Sequence, residues 1–333
     1  MKNNILVILF VSLCSCNSCK GQSTFGEKYL QLQKTIVLPN VTGRIDHMAV
    51  NVKENLVYVA ALGNNTLEAV DLRNGRIIHS IHGQDEPQGV EYIPRTHEIF
   101  VANGGNGDCY FYNASTFEKT ATIHLPSDAD DVRYDSASNA IFVGYGEGGI
   151  AIINANTHRQ TADVKLPAHP EGFQIDSKAN SIWVNVPDKN MIGVIDLVQL
   201  KLVKSLKRNS PSANFPMSID VQNHRAFIGY RHPAKLVVVD MITGKDITWH
   251  DMVSDVDDLY YDMNNKRVYI SGGGGFINIF QQDTAGSFTQ ITNMPTRRGA
   301  RTSLLIPELR LFVLAEREVS GNSARLLVYD ISH

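Results

Sequence analysis

Seven short segments of the chain stand just ahead of apolar runs; six of them carry polar or ionisable residues there, and they differ from one another. In order, the first position of each pair is Asp46, Gln88, Asp130, Glu171, Phe215, Asp257 and Arg301. The second is His47, Gly89, Asp131, Gly172, Pro216, Asp258 and Thr302. His169 stands just before Glu171, while Asn103, Tyr145, Asn185, Tyr230, Arg231, His232, Glu316 and Arg317 occupy a second set of loops. Several chemistries are open to such a set. Asp131, Glu171 and Asp258 can converge on a hard divalent cation such as Ca²⁺, which takes oxygen ligands. The plain alternative is that each carboxylate of the pairs Asp130-Asp131 and Asp257-Asp258 binds amides of its own loop. His47 and His169 can serve as a general base or a metal ligand, because imidazole titrates near neutrality; a hydrogen-bonded loop role is the simpler reading. With Asp131 they are the catalytic candidates. Arg231 and Arg301 can clamp a carboxylate or phosphate through forked donors, or pair with Asp257 or Asp46. Phe215 and Tyr230 can stack on a ring or pack at the rim.

Other chemistries fail their context. The runs Gly104-Gly105-Asn106-Gly107 and Gly272-Gly273-Gly274-Gly275 lead from strand to strand, with no helix behind them to offer N-terminal amides to a phosphate. No serine elbow and no Cys-x-x-Cys-His haem attachment is present. His79, His97, His124 and His158 are scattered over turns and outer strands. The net charge is −3 without a basic stripe, so nothing would displace counterions from a nucleic acid.

The elements that must position these residues repeat. The apolar run after each pair opens at Met48, Val90, Val132, Phe173, Met217, Leu259 and Ser303, at separations of 42, 42, 41, 44, 42 and 44 residues. Second strands keep step, as Leu56-Val57-Tyr58-Val59 and Val268-Tyr269-Ile270 show. Third strands end on Asp71, Asn113, Asn154, Asp196, Asp240 and Asp330. Acids that recur in register are structural, accepting from turn amides. Four short strands per unit of about 42 residues is the period of a propeller blade. The expected fold is therefore all-β, a seven-bladed propeller. The seventh unit runs out after its third strand, whereas residues 31–39 (QLQKTIVLP) match the fourth strands at 119–126 and 160–167. The start of the domain should supply the outer strand of the last blade and remove an exposed edge.

The first residues stand apart from this pattern. Lys2 and the apolar run 5–13 form a secretory signal, too short to span a bilayer. Leu13-Cys14-Ser15-Cys16 resembles a bacterial lipobox, which would make Cys16 the lipidated first residue of the mature chain; a plain signal peptide is the alternative. Three of the four cysteines lie here and only Cys109 lies beyond, so no disulfide framework is expected. The expected domains are a leader at 1–15, a tether at 16–27 and one propeller at 28–333.

Asn55-Leu56-Val57-Tyr58-Val59 with Ala69-Val70-Asp71, and Arg267-Val268-Tyr269-Ile270, resemble the YVTN, or YncE-like, propeller repeat family, over nearly all of 28–333. Strings such as Asp46-His47-Met48-Ala49-Val50 and Ala168-His169-Pro170-Glu171 look like one bacterial branch of it. The resemblance implies fold and leaves activity open, since propellers host unrelated chemistries. The expected function is a cell-envelope lipoprotein binding a small-molecule or protein ligand at its axial funnel. Its ligand set would be Asp46, His47, Asp130, Asp131, His169, Glu171, Phe215, Tyr230, Arg231, Asp257, Asp258 and Arg301. The rival is a metal-assisted hydrolase or lyase acting on a lactone or sugar acid, with Arg301 orienting an anionic substrate. The expected state is a monomer that touches the membrane only through its N-terminal lipid.

Overall fold

A computed structural model describes residues 28–332; the leader, the tether and Cys16 lie outside them. Seven antiparallel sheets of four strands each are arranged as blades around an axis. Their innermost strands are Met48–Asn51, Pro87–Ile93, Ala129–Asp135, Phe173–Asp176, Ser212–Asp220, Val256–Asp262 and Ser303–Ile306. Blades 1 to 6 are built from consecutive strands. Blade 7 takes Ser303–Ile306, Leu311–Glu316 and Ala324–Ile331 from the end of the chain and Leu30–Leu38 from the start. The expected closure is present in register, with Leu32 opposite Tyr329, Val37 opposite Arg325 and Leu38 opposite Ala324.

Closure follows from where the core lies. Second strands such as Leu56–Ala61 are buried along their length, because successive side chains face the two neighbouring blades. The apolar residues accordingly gather in clusters between blades and not within them. Ile36 and Leu38 pack with Val57 and Val59 of blade 1 and Val313 and Val328 of blade 7. Equivalent clusters join each remaining pair of neighbours. Without the N-terminal strand, one seam of the ring would lose part of its apolar filling.

The recurring third-strand acids do cap turns. Asp71 accepts from the amides of Arg73 and Asn74 at 2.8 and 3.0 Å, and Asp240 from those of Ile242 and Thr243 at 3.0 and 2.7 Å. These bonds hold both carboxyls below the usual range. Both glycine-rich segments are turns between strands.

Candidate functional site

The residues ahead of each inner strand collect at one end of the axis, because the inner strands all run in the same sense through the ring. Second strands tether them: Asp46 donates its amide to Ala60 at 2.8 Å, and Glu171 to Asn185 at 2.9 Å. In blades 2, 3, 5 and 6 the inner strand carries one residue more than its partner at this point. Ala129 faces Tyr145 and Val132 faces Val143, with Asp130 and Asp131 bulging between them. Val256 faces Gly272 and Asp258 faces Ser271, so Asp257 bulges likewise. A bulge breaks the alternation of faces and re-aims side chains. Two adjacent carboxylates can then serve one end of the funnel.

Asp131 and Asp258 form a lower layer that staples blades. Asp131 accepts from the amide of Phe173 in blade 4 at 3.2 Å and from Arg133. Asp258 accepts from the amide of Ser303 in blade 7 at 2.6 Å. These acids therefore bind the next blade, not their own loop as the simpler sequence reading had it. His47 lies between them, Nε2 4.0 Å from Asp131 and Nδ1 3.8 Å from Asp258. Burial alone would lower its pKa, but Asp46, Asp131 and Asp258 outweigh that and lift it to about 10. Two flanking carboxylates thus favour the charged form of His47 at neutral pH.

An upper layer consumes the arginines. Arg231 donates to Val256 O at 2.8 Å and to Asp257 at 2.6 Å, with its guanidinium 3.5 Å from the centre of the Phe215 ring. Arg301 pairs with Asp257 at 2.9 Å and Asp255 at 3.0 Å, and Arg44 with Asp46 at 2.9 Å. Pairing with Asp257 is the reading realised for both Arg231 and Arg301. Asp46, 4% exposed, is pushed up to about 7 by burial, which the cation of His47 only partly offsets.

The third group is Asp130, His169 and Glu171, whose ligand atoms lie within 4.8 Å of one another. The trio expected from the sequence, Asp131, Glu171 and Asp258, is not the one that converges, because amides, Arg133 and His47 already occupy its two aspartates. His169 Nδ1 lies 2.7 Å from the carbonyl of Gly146, and Nε2 3.7 Å from Asp130. Burial and Asp130 push Glu171 up to about 8. Burial would lower His169, but the bonds to Asp130 and Gly146 and the charge of Asp128 raise it to about 9.

A cavity of about 350 Å³ runs below these layers, lined by His47, Asp131, Glu171, Phe215, Asp257 and Asp258 at its mouth. Deeper it meets Glu91, Arg133, Gln174, Ser218, Tyr260 and Leu304, one from each of six inner strands. Sequence reasoning missed this ring, although a signal was present one residue beyond the opening positions, where Glu91 and Arg133 put charges, and Gln174 and Ser218 polar groups, into apolar strands. Burial pushes Glu91 up to about 7, with Arg133 opposing. Tyr230 is a correction. It is 1% exposed and packs with Trp183 and Met217 between blades 4 and 5, so it presents nothing to the funnel. Asn185 is also structural, donating to Phe215 O and Pro216 O at 2.9 and 3.2 Å. Gly172 in the same column leaves room for a neighbouring blade, since a Cβ there would sit 2.6 Å from Phe215 O. Of the scattered histidines, His158 meets Glu98 of the neighbouring blade at 2.9 Å and His124 meets Asp108 at 2.6 Å.

No known protein family's sequence profile matches the chain, and no curated protein matches it. Structural likeness is broad, with 1777 chains of solved structures matching, so it speaks to architecture and not to a ligand. One of them, described as "Crystal Structure of Mitotic Checkpoint Complex", superposes with a TM-score of 0.77 at 14% identity, over 98% of this chain and 99% of that one. Sheet order and structural likeness agree that the chain is a seven-bladed β-propeller, and the sheet order closes it with its own N-terminal strand.

Proposed function

We propose that this propeller binds a small polar ligand in its axial funnel, and that it does so as an exported lipoprotein of the YVTN, or YncE-like, repeat type. One observation carries the binding reading. The departures from sevenfold repetition concentrate at one mouth of the axis, over a cavity of about 350 Å³, which falls within the range of small-molecule sites. A ring kept only for architecture would repeat at these positions, as the turn acids do. Export and lipidation at Cys16 rest on the leader sequence alone.

The test is a thermal-shift screen of the mature protein against sugar acids, lactones and small zwitterions. A ligand held only by the native state raises Tm by mass action, about 2.7 kcal/mol at a hundredfold excess over Kd. Phe215→Ala and Glu171→Gln should each reduce the shift. A ligand whose shift survives both changes binds elsewhere, and a screen without shifts leaves the rim without a small-molecule role. The hydrolase or lyase reading draws on Asp130, His169 and Glu171, and it requires turnover of a lactone or sugar acid by the same preparation.

A further inference from the structure

We propose that Asp130, His169 and Glu171 form a site for a divalent transition-metal ion of the Mn²⁺ or Zn²⁺ kind at the lip of the funnel. The proposal deepens the funnel-binding reading and rests on it for the ion's access to ligand. It starts from an accounting of lone pairs. Arg44 holds Asp46, Arg133 and an amide hold Asp131, Arg231 and Arg301 hold Asp257, and His47 and an amide hold Asp258. Among the described residues no hydrogen bond or ion pair reaches the carboxylate of Glu171, and Asp130 has only His169, at 3.7 Å. Two carboxylates are therefore left with unspent oxygens beside one imidazole.

The histidine supplies the independent observation. A carbonyl can only accept, so the 2.7 Å contact with Gly146 O places a proton on Nδ1. In the neutral ring Nε2 then carries the lone pair, and Nε2 is the atom nearer Asp130. Metal-bound histidines are oriented in this way, the second nitrogen donating to a carbonyl or carboxylate. Near neutrality Glu171 and His169 hold protons, which a divalent ion would displace on binding; the two carboxylates and neutral imidazole then left carry a charge of −2. The nitrogen donor favours Mn²⁺ or Zn²⁺ over Ca²⁺, which prefers six to eight oxygens. Glu171 lines the axial cavity, so an ion held there would be reachable from it.

The mature chain, stripped with chelator, is titrated calorimetrically with MnCl₂, ZnCl₂ and CaCl₂. The expected result is one equivalent of Mn²⁺ or Zn²⁺, with Ca²⁺ at least tenfold weaker. His169→Ala and Glu171→Gln should each weaken binding tenfold or more, whereas Val37→Ala, exposed on the outer strand of blade 7, should leave it unchanged. Electron spin echo spectra of the Mn²⁺ form should show coupling to one imidazole nitrogen, a readout that needs no variant to fold. Absence of stoichiometric metal, unchanged affinity in folded His169→Ala and Glu171→Gln proteins, or an echo without nitrogen coupling would each overturn the site. Ligand-induced thermal shifts without metal binding would sink the metal site alone. Stoichiometric metal lost in both variants, with no ligand shift, would uphold the site while removing the organic-ligand reading.

Discussion

Replacing His47 by Gln tests the central electrostatic claim, that this ring is a cation held between Asp131 and Asp258. Its pKa rises from the ordinary 6.5 to about 10 in the folded protein. The sign follows from linkage. A folded value above the unfolded one gives stabilisation that is whole below pH 6.5 and lost as pH rises through 10. At about 1.36 kcal/mol per pKa unit, the full displacement corresponds to roughly 5 kcal/mol in acid. About 2–3 kcal/mol of it disappears between pH 7 and pH 9. The side chain is 25% exposed, so solvent screening makes these upper figures. Asp46, Asp258, Glu91, Glu171 and His169 are also raised, and they tilt wild-type stability the same way. The informative quantity is therefore the gap between wild type and His47→Gln, measured by denaturant melts at pH 7 and pH 9. The gap should be largest at pH 7, where the variant leaves two aspartates without their shared cation, and narrower by about 2 kcal/mol at pH 9. At roughly 1.5–2 °C per kcal/mol for a chain of this length, thermal melts should show a change of about 3–4 °C. A gap equal at the two pH values, within about 0.5 kcal/mol, would refute the assignment of His47 as a fixed cation.

Three further outcomes are expected. Ile36→Ala should cost about 2–5 kcal/mol in denaturant melts, because Ile36 is fully buried in the closing seam, whereas Val37→Ala, 51% exposed, should cost under about 0.5 kcal/mol; equal costs would mean that the N-terminal strand does not latch the ring. Gly172→Ala should destabilise by about 1–3 kcal/mol through overpacking against Phe215 O, and a neutral melt would show that the blades approach less closely than described. Cys16→Ser should move the protein from the membrane fraction to the soluble fraction on cell fractionation, and unchanged partitioning would exclude lipidation at that residue.

The turn acids, the paired strands and the missing fourth strand of the last unit were all readable from the chain. Each depends on local rules: alternation with a period of two, side chains bonding their own turn, and a repeat that must bury both faces. Even the latch at Leu32–Leu38 followed, since an unmatched strand at one end answered a vacancy at the other. Irregularity in the columns likewise pointed to the right end of the axis. Partnership among the funnel groups was not readable. Whether Asp131 is free or spent depends on the amide of Phe173 one blade away, and Tyr230 faces its neighbours' core for reasons that lie in blade 4. Glu91 and Arg133 meet only because a ring brings distant inner strands to one channel. Coulomb and hydrogen-bond terms act over a few ångströms of space and ignore separation along the chain. Sequence alone therefore determined the architecture and the end of the axis that carries the site. Only tertiary structure decided that Asp130 and Glu171 stand beside His169 with no arginine or amide bonded to their carboxylates among the described residues, while their neighbours are spent as staples.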